Sequence, residues 1–157
     1  MCSGRVFAPD CLTGGKNLMT ITLERAQSAL TRALSAATSQ NVPVAAVVVD
    51  AAGRMVASAR MDGVGFMNIG VAFRKAGTSA NFGYPTQAMA DLASKDPLIL
   101  AAFTGDSEVM ALAGGVPIKD GDATIGAIGV AGGHYAQDHA IAVFAVGQES
   151  EKGGTAS

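Results

Sequence analysis

Tryptophan is absent from this chain of 157 residues, aromatic side chains make up only 5% of it, and charged ones only 15%. Each scarcity excludes something. Few large rings leave a core of alanine, valine, isoleucine and leucine, in which each side chain buries little area and backbones pack closely. With 11 Lys and Arg against 13 Asp and Glu, there is no basic track for a phosphate backbone, which excludes nucleic-acid binding. The longest basic cluster, Arg74-Lys75, reads as a solvated helix face. The two cysteines, Cys2 and Cys11, lie in an unpatterned N-terminal stretch. They make neither a disulfide framework nor a zinc site. No apolar run approaches the roughly 20 residues that span a bilayer, and residues 1–18 hold no apolar signal core. These absences point to a cytoplasmic protein with no membrane partner.

What is present is small and apolar. Hydrophobic residues make up 49% of the chain, enough for one domain with a real core. That domain is expected over residues 19–148, with 1–18 a flexible N-terminal extension and 149–157 a disordered tail. Small core residues under a charge-poor surface favour a homo-oligomer, since burial between subunits adds stability.

Leu23, Ala26, Leu30, Ala33, Leu34 and Ala37 recur at helical spacing behind Thr22, a plausible cap. Val44 to Val49 is a continuous apolar run, the mark of a strand covered on both faces. Asp50-Ala51-Ala52-Gly53 is turn chemistry, and residues 55–61 alternate as an antiparallel partner. Asp62 is expected to form the next turn with its side chain. Ile69, Ala72, Phe73, Ala76 and Ala80 mark a second helix, with Arg74 and Lys75 opposite that side. A weakly amphipathic helix over 85–94 and a short one capped by Asp96-Pro97 follow. Strands are expected at 108–112, 116–119 and 123–131, the last two joined at Asp120-Gly121-Asp122. A final helix should carry Ala136, Ala140, Val143 and Phe144 on one face. Short connections make the sheet antiparallel, and its doubly covered strand calls for helices on both faces. The fold class is α+β, in three α/β/α layers with five strands.

Gly126, Gly129 and Gly132 stand three apart before the last helix. The dinucleotide fingerprint has a different spacing and a parallel context, so it does not apply. Two readings remain: a helix or neighbouring subunit lying close on the sheet, or a ligand touching backbone. For the second, N–H groups at the helix start beside Gly132 and Gly133 would hold a carboxylate. His134 and His139 sit about 140° apart around a helix, so they do not chelate one metal. No metal site is expected. His134, at the helix mouth, is the candidate acid/base if the protein is an enzyme, or an axial ligand to a metal cofactor. Asp138 would orient its imidazole or simply favour the helix start. Tyr135 completes the mouth, Arg74 or Lys75 would clamp an anion, and Phe82 and Tyr84 would supply apolar walls.

Gly114-Gly115-Val116-Pro117-Ile118 followed by Ile125-Gly126-Ala127-Ile128-Gly129-Val130, with Val47-Val48-Val49-Asp50 and Arg60-Met61-Asp62-Gly63, resembles the GlcG/HbpS-like family of haem-binding-related domains. Lys75-Ala76 also matches that family's pattern, and the likeness spans residues 20–147. The resemblance implies a profilin-like arrangement, a hexamer or octamer, and a small ligand, with haem or a related tetrapyrrole as the implied cofactor. The clustered glutamates by which some relatives bind iron are missing: Glu24, Glu108, Glu149 and Glu151 never pair at helical spacing. The family's alternative is an enzyme hydrolysing or isomerising a small carboxylate in an inter-subunit pocket.

Overall fold

The computed structural model describes residues 20–147. Cys2, Cys11, the expected extension and the expected tail lie outside the described residues. The chain runs α1 (Leu23–Ser39), β1 (Ala45–Asp50), β2 (Met55–Arg60), α2 (Met67–Phe82), α3 (Thr86–Lys95), α4 (Pro97–Thr104), β3 (Gly115–Asp120), β4 (Ala123–Ala131), α5 (Tyr135–Gly147). All strand pairings are antiparallel, in the order β2-β1-β4-β3. No described helix is long and apolar enough to cross a membrane.

Local chemistry sets the boundaries. The Thr22 hydroxyl accepts from the Arg25 N–H, opening α1, and the Asp96 carboxylate accepts from the Leu98 N–H, opening α4 behind Pro97. Between β1 and β2, Asp50 Oδ1 accepts from the N–H groups of Ala52 and Arg54, each at 2.9 Å. Asp50 is thus the turn-former; the Asp62 side chain makes no hydrogen bond with a described residue.

Alternation along the strands sorts side chains between two helical layers. Val44, Ala46, Val48, Val116, Ile118, Ile128 and Val130 face α1 and α5, forming one core with the alanines of α1. Val47, Val49, Ala127 and Ala131 face α2, with Ala72, Ala76 and Ala80. The stripe of α1 consists of Ala26, Ala29, Ala33, Ala36 and Ala37, whereas Leu23 is exposed. Glycine lets α2 reach the sheet. A Cβ at Gly129 would lie 1.9 Å from the Ala72 carbonyl oxygen, and one at Gly115 would lie 2.3 Å from that of Lys75. What approaches the strand glycines is this protein's own helix.

The sheet and the last helix also depart from expectation. Among the described residues the sheet has four strands, not five, because the segment around Glu108–Leu112 is irregular. Threonine side chains take its backbone groups: the Met110 N–H donates to Thr78 Oγ1, and Thr86 Oγ1 donates to the Leu112 carbonyl at 2.7 Å. An edge strand needs those groups for a ladder. In α5 the buried face is Asp138, Ile141, Ala142 and Ala145, while Val143 and Phe144 are exposed. Ties from Asp138 to other elements fix that roll of the helix.

Candidate functional site

Helix α5 starts where β4 leaves the sheet through Gly132, whose φ of +141° and whose added Cβ, only 2.7 Å from the Pro43 carbonyl oxygen, leave no room for a side chain. The first amides of the helix are capped from within. The Gly133 N–H donates to Asp138 Oδ1 at 3.0 Å, and the His134 N–H donates to Gln137 Oε1 at 3.0 Å. The Ala136 N–H donates to His134 Nδ1 at 3.3 Å. The anion cradle expected at these amides is therefore largely filled by the chain's own side chains.

Beneath the turn lies a buried ion pair. Lys75 Nζ donates to Asp138 Oδ2 at 3.0 Å and to the Val130 carbonyl at 2.9 Å. Lys75 is only 1% exposed and Asp138 2%, so the expected solvated lysine is a correction. The spacing held the signal: Ala72, Lys75, Ala76 and Ser79 fall at i, i+3, i+4 and i+7, one helical stripe. Burial pushes the Lys75 ammonium below the usual lysine range and the Asp138 carboxyl above the usual carboxylate range; their attraction opposes both shifts. Asp138 thus holds Lys75 and Gly133 rather than the His134 ring.

Over this pair opens a cleft of about 290 Å³ that contains Gly132, Gly133, His134, Tyr135 and Lys75 from the expected site, with Asn68, Val71 and Leu112, which sequence reading missed. Val71 and Leu112 are its apolar walls. Leu112 could not be found from the sequence because its position depends on the threonine-pinned segment. The His134 and Tyr135 rings face one another at a centroid separation of 4.1 Å, tilted by 35°. Because His134 Nδ1 accepts a hydrogen bond, the ring proton belongs on Nε2. Tyr135 is 48% exposed.

The remaining expected residues lie elsewhere. Arg74 and Phe82 line a separate cleft on another flank of α2. Tyr84 lines neither cleft and is 64% exposed, its carbonyl accepting from Ser79 Oγ. His139 is half-buried on α5, and its Nδ1 has no partner among the described residues. Nor do three His, Cys, Asp or Glu side chains there gather as a metal site.

The chain and its fold have known relatives. The family model described as "Haem degrading protein HbpS-like" matches residues 21–147. The crystal structure of Klebsiella pneumoniae protein ORFY superposes with a TM-score of 0.79 at 26% identity, covering 87% of this chain and 95% of that one. HbpS superposes at 0.76 with 28% identity, covering 87% and 94%. A third structure, PduOC solved as a heme complex, shares the fold at a TM-score of 0.75 and 24% identity over 82% and 94%.

Proposed function

The chain belongs to the HbpS-like family, and on that premise we propose that it binds a small ligand of the haem or related tetrapyrrole class in the cleft at the start of α5. The observation carrying this reading is the stacked His134–Tyr135 pair at the mouth of a cleft walled by Val71 and Leu112. Small-ligand sites combine an apolar lining with few polar groups in this way.

The residues present fit a haem in one respect more than another. Tyr135 offers a phenol, an iron ligand type known in haem proteins. His134 Nε2 carries a proton while Nδ1 caps Ala136, so coordination by that ring would cost the cap. The propionate anchors are engaged already, Lys75 by Asp138 and Val130, and the first amides by side chains. Such a ligand would therefore be held by its iron and apolar edge. A bound haem would supply one-electron redox chemistry; Tyr135 would orient it, and Val71 and Leu112 would exclude water.

A second reading, an enzyme acting on a small carboxylate, draws support from the Lys75–Asp138 pair on the cleft floor. Opposed shifts in a buried acid and base suit proton exchange, with His134 as the exposed acid/base. The protein is also proposed to work as a cytoplasmic homo-oligomer, since Phe66 and Leu98 are 77% and 78% exposed, and light scattering of a monomer would refute the oligomer. Titration with hemin tests the primary reading. A Soret band should appear, and Tyr135→Phe should weaken binding by about tenfold or more. A flat spectrum, with small carboxylic acids bound instead, would transfer the site to the second reading.

A further inference from the structure

A second cleft, of about 370 Å³, lies between α2, the β1–β2 turn and the Asp106–Val109 segment. It shares no lining residue with the cleft at α5. Its walls are fixed: Thr78 Oγ1 donates to the Glu108 carbonyl and accepts from the Met110 N–H at 2.9 Å, and Glu108 N–H donates to Asp106 Oδ1 at 2.8 Å. Its space is kept open by glycine. A Cβ at Gly77 meets no atom within 4 Å, so no packing contact demands glycine in the middle of α2, where it costs helix stability. Gly53, whose φ of +79° calls for glycine in the β1–β2 turn, lines the same cleft, and a Cβ added there would touch Gly77 Cα at 4.0 Å.

Three polar side chains around that space are unused. Arg74 is half-buried and forms no hydrogen bond or ion pair with any described residue; the Asn81 and Glu108 side chains are likewise without partners there. A planar guanidinium so placed is suited to a carboxylate taken two-pronged. Asp106 and Glu108 add two negative charges to the same lining. They repel a polyanion and accept from an ammonium. Phe73, Phe82 and Val109 supply apolar surface, with Phe82 held edge-on to Phe103 at 6.2 Å.

We propose that this cleft is a binding site for a small zwitterion, a molecule of the amino-acid class whose carboxylate pairs with Arg74, whose ammonium faces Glu108 and Asp106, and whose apolar side chain lies against Phe73 and Phe82. The site is separate from the one assigned to the tetrapyrrole-class ligand and does not depend on it.

Amide chemical shifts of the full chain, titrated with L-leucine, test it. Saturable shifts should centre on Gly53, Gly77 and Val109, leaving Gly133 and Tyr135 unmoved. Arg74→Gln and Glu108→Gln should each weaken binding by about tenfold or more, the worth of a charged hydrogen bond. Gly77→Leu should abolish binding by filling the cleft, while hemin titration stays as in the wild type. The half-molecules isocaproate and isoamylamine should each bind more weakly than leucine. Absence of saturable shifts in this cleft, or isocaproate binding as well as leucine, would overturn the proposal. Should Gly77→Leu fail to fold, unchanged affinity in both Arg74→Gln and Glu108→Gln would overturn it equally.

Discussion

The two faces of the sheet are built on different principles. Toward α1 and α5, Val44, Val48, Ile118, Ile128 and Val130 meet a stripe of alanines and Ile141 in a dry, volume-filled layer. Toward α2, the layer is thin: Val47, Val49, Ala127 and Ala131 against Ala72, Ala76 and Ala80. There Gly129 and Gly115 bring the helix backbone onto the strands. The buried polar residues also gather there. Lys75, Thr78 and Ser79 belong to α2 and Thr86 opens α3, while Asp138 reaches across from α5. One face gains stability from apolar area; the other trades area for contact distance and hydrogen bonds. Both clefts border α2, because a thin layer of small residues leaves gaps along its flanks, and polar groups can reach into them.

The largest expected effect breaks that contrast at its closest contact. Gly129→Val puts a branched side chain where even a Cβ would lie 1.9 Å from a backbone oxygen; overpacking against immovable backbone exceeds the usual cost of about 1–3 kcal/mol. No cooperative thermal transition should remain by circular dichroism. On the opposite face, Ile128→Val should cost only about 0.5–1.5 kcal/mol. Native-like melting of Gly129→Val would mean that α2 is free to move away from the sheet.

The ion pair comes next. Lys75→Met should destabilise by about 3–5 kcal/mol, since Asp138 is left buried without its cation. Adding Asp138→Leu should recover most of that loss, because an apolar pair of similar volume avoids desolvating two charges. Urea unfolding of the wild type, the two single variants and the double variant distinguishes this from simple packing, for which the two losses would add.

The dry face is legible in the sequence and the thin face less so. Hydrophobic pattern together with turn and cap chemistry locates the continuous Val44–Val49 run, the hairpins and the caps at Thr22 and Asp96, because each is determined locally. The regular glycines signal a close approach, although only the folded chain names α2 as what approaches. At Lys75 the ammonium argues for solvent and the helical spacing for burial, and the spacing wins because Asp138 is there to meet the charge. The irregular 108–112 segment is apolar enough for a strand, and only threonines distant in sequence, Thr78 and Thr86, withhold its backbone groups. The expected site splits for the same kind of reason. Arg74 and Lys75 are neighbours in sequence, yet adjacent helical positions point about 100° apart, so one lines each cleft.

The pH dependence sharpens the comparison further. Folding lowers the Lys75 value, so the unfolded chain holds more protons between that lowered value and 10.5; wild-type stability gains as pH rises through this window. Folding raises the Asp138 value, so the folded chain holds more protons between 3.8 and that raised value; stability gains as pH falls through it. Relative to the Lys75→Met, Asp138→Leu protein, the wild type should therefore compare worst at intermediate pH, where both groups are charged. Melting curves of both proteins across the pH range should show this trough. A wild-type advantage peaking there would mean that the attraction between the two charges outweighs the cost of burying them.

The smallest effect separates two roles of one residue. His134 caps α5, its Nδ1 accepting from the Ala136 N–H, and a lost cap typically costs about 0.5–2 kcal/mol. At 3.3 Å the bond is long, so His134→Ala should fall near the lower end of that range in thermal unfolding. His134→Asn keeps a side-chain acceptor at the cap position and should restore most of the stability. The ring does something different for a ligand, facing Tyr135 at the cleft mouth. If that stacking positions the tyrosine, hemin affinity should drop in both variants, although only His134→Ala is destabilised. Should His134→Asn bind hemin as the wild type does, the histidine is a helix cap alone, and Tyr135 with the apolar walls must account for the ligand.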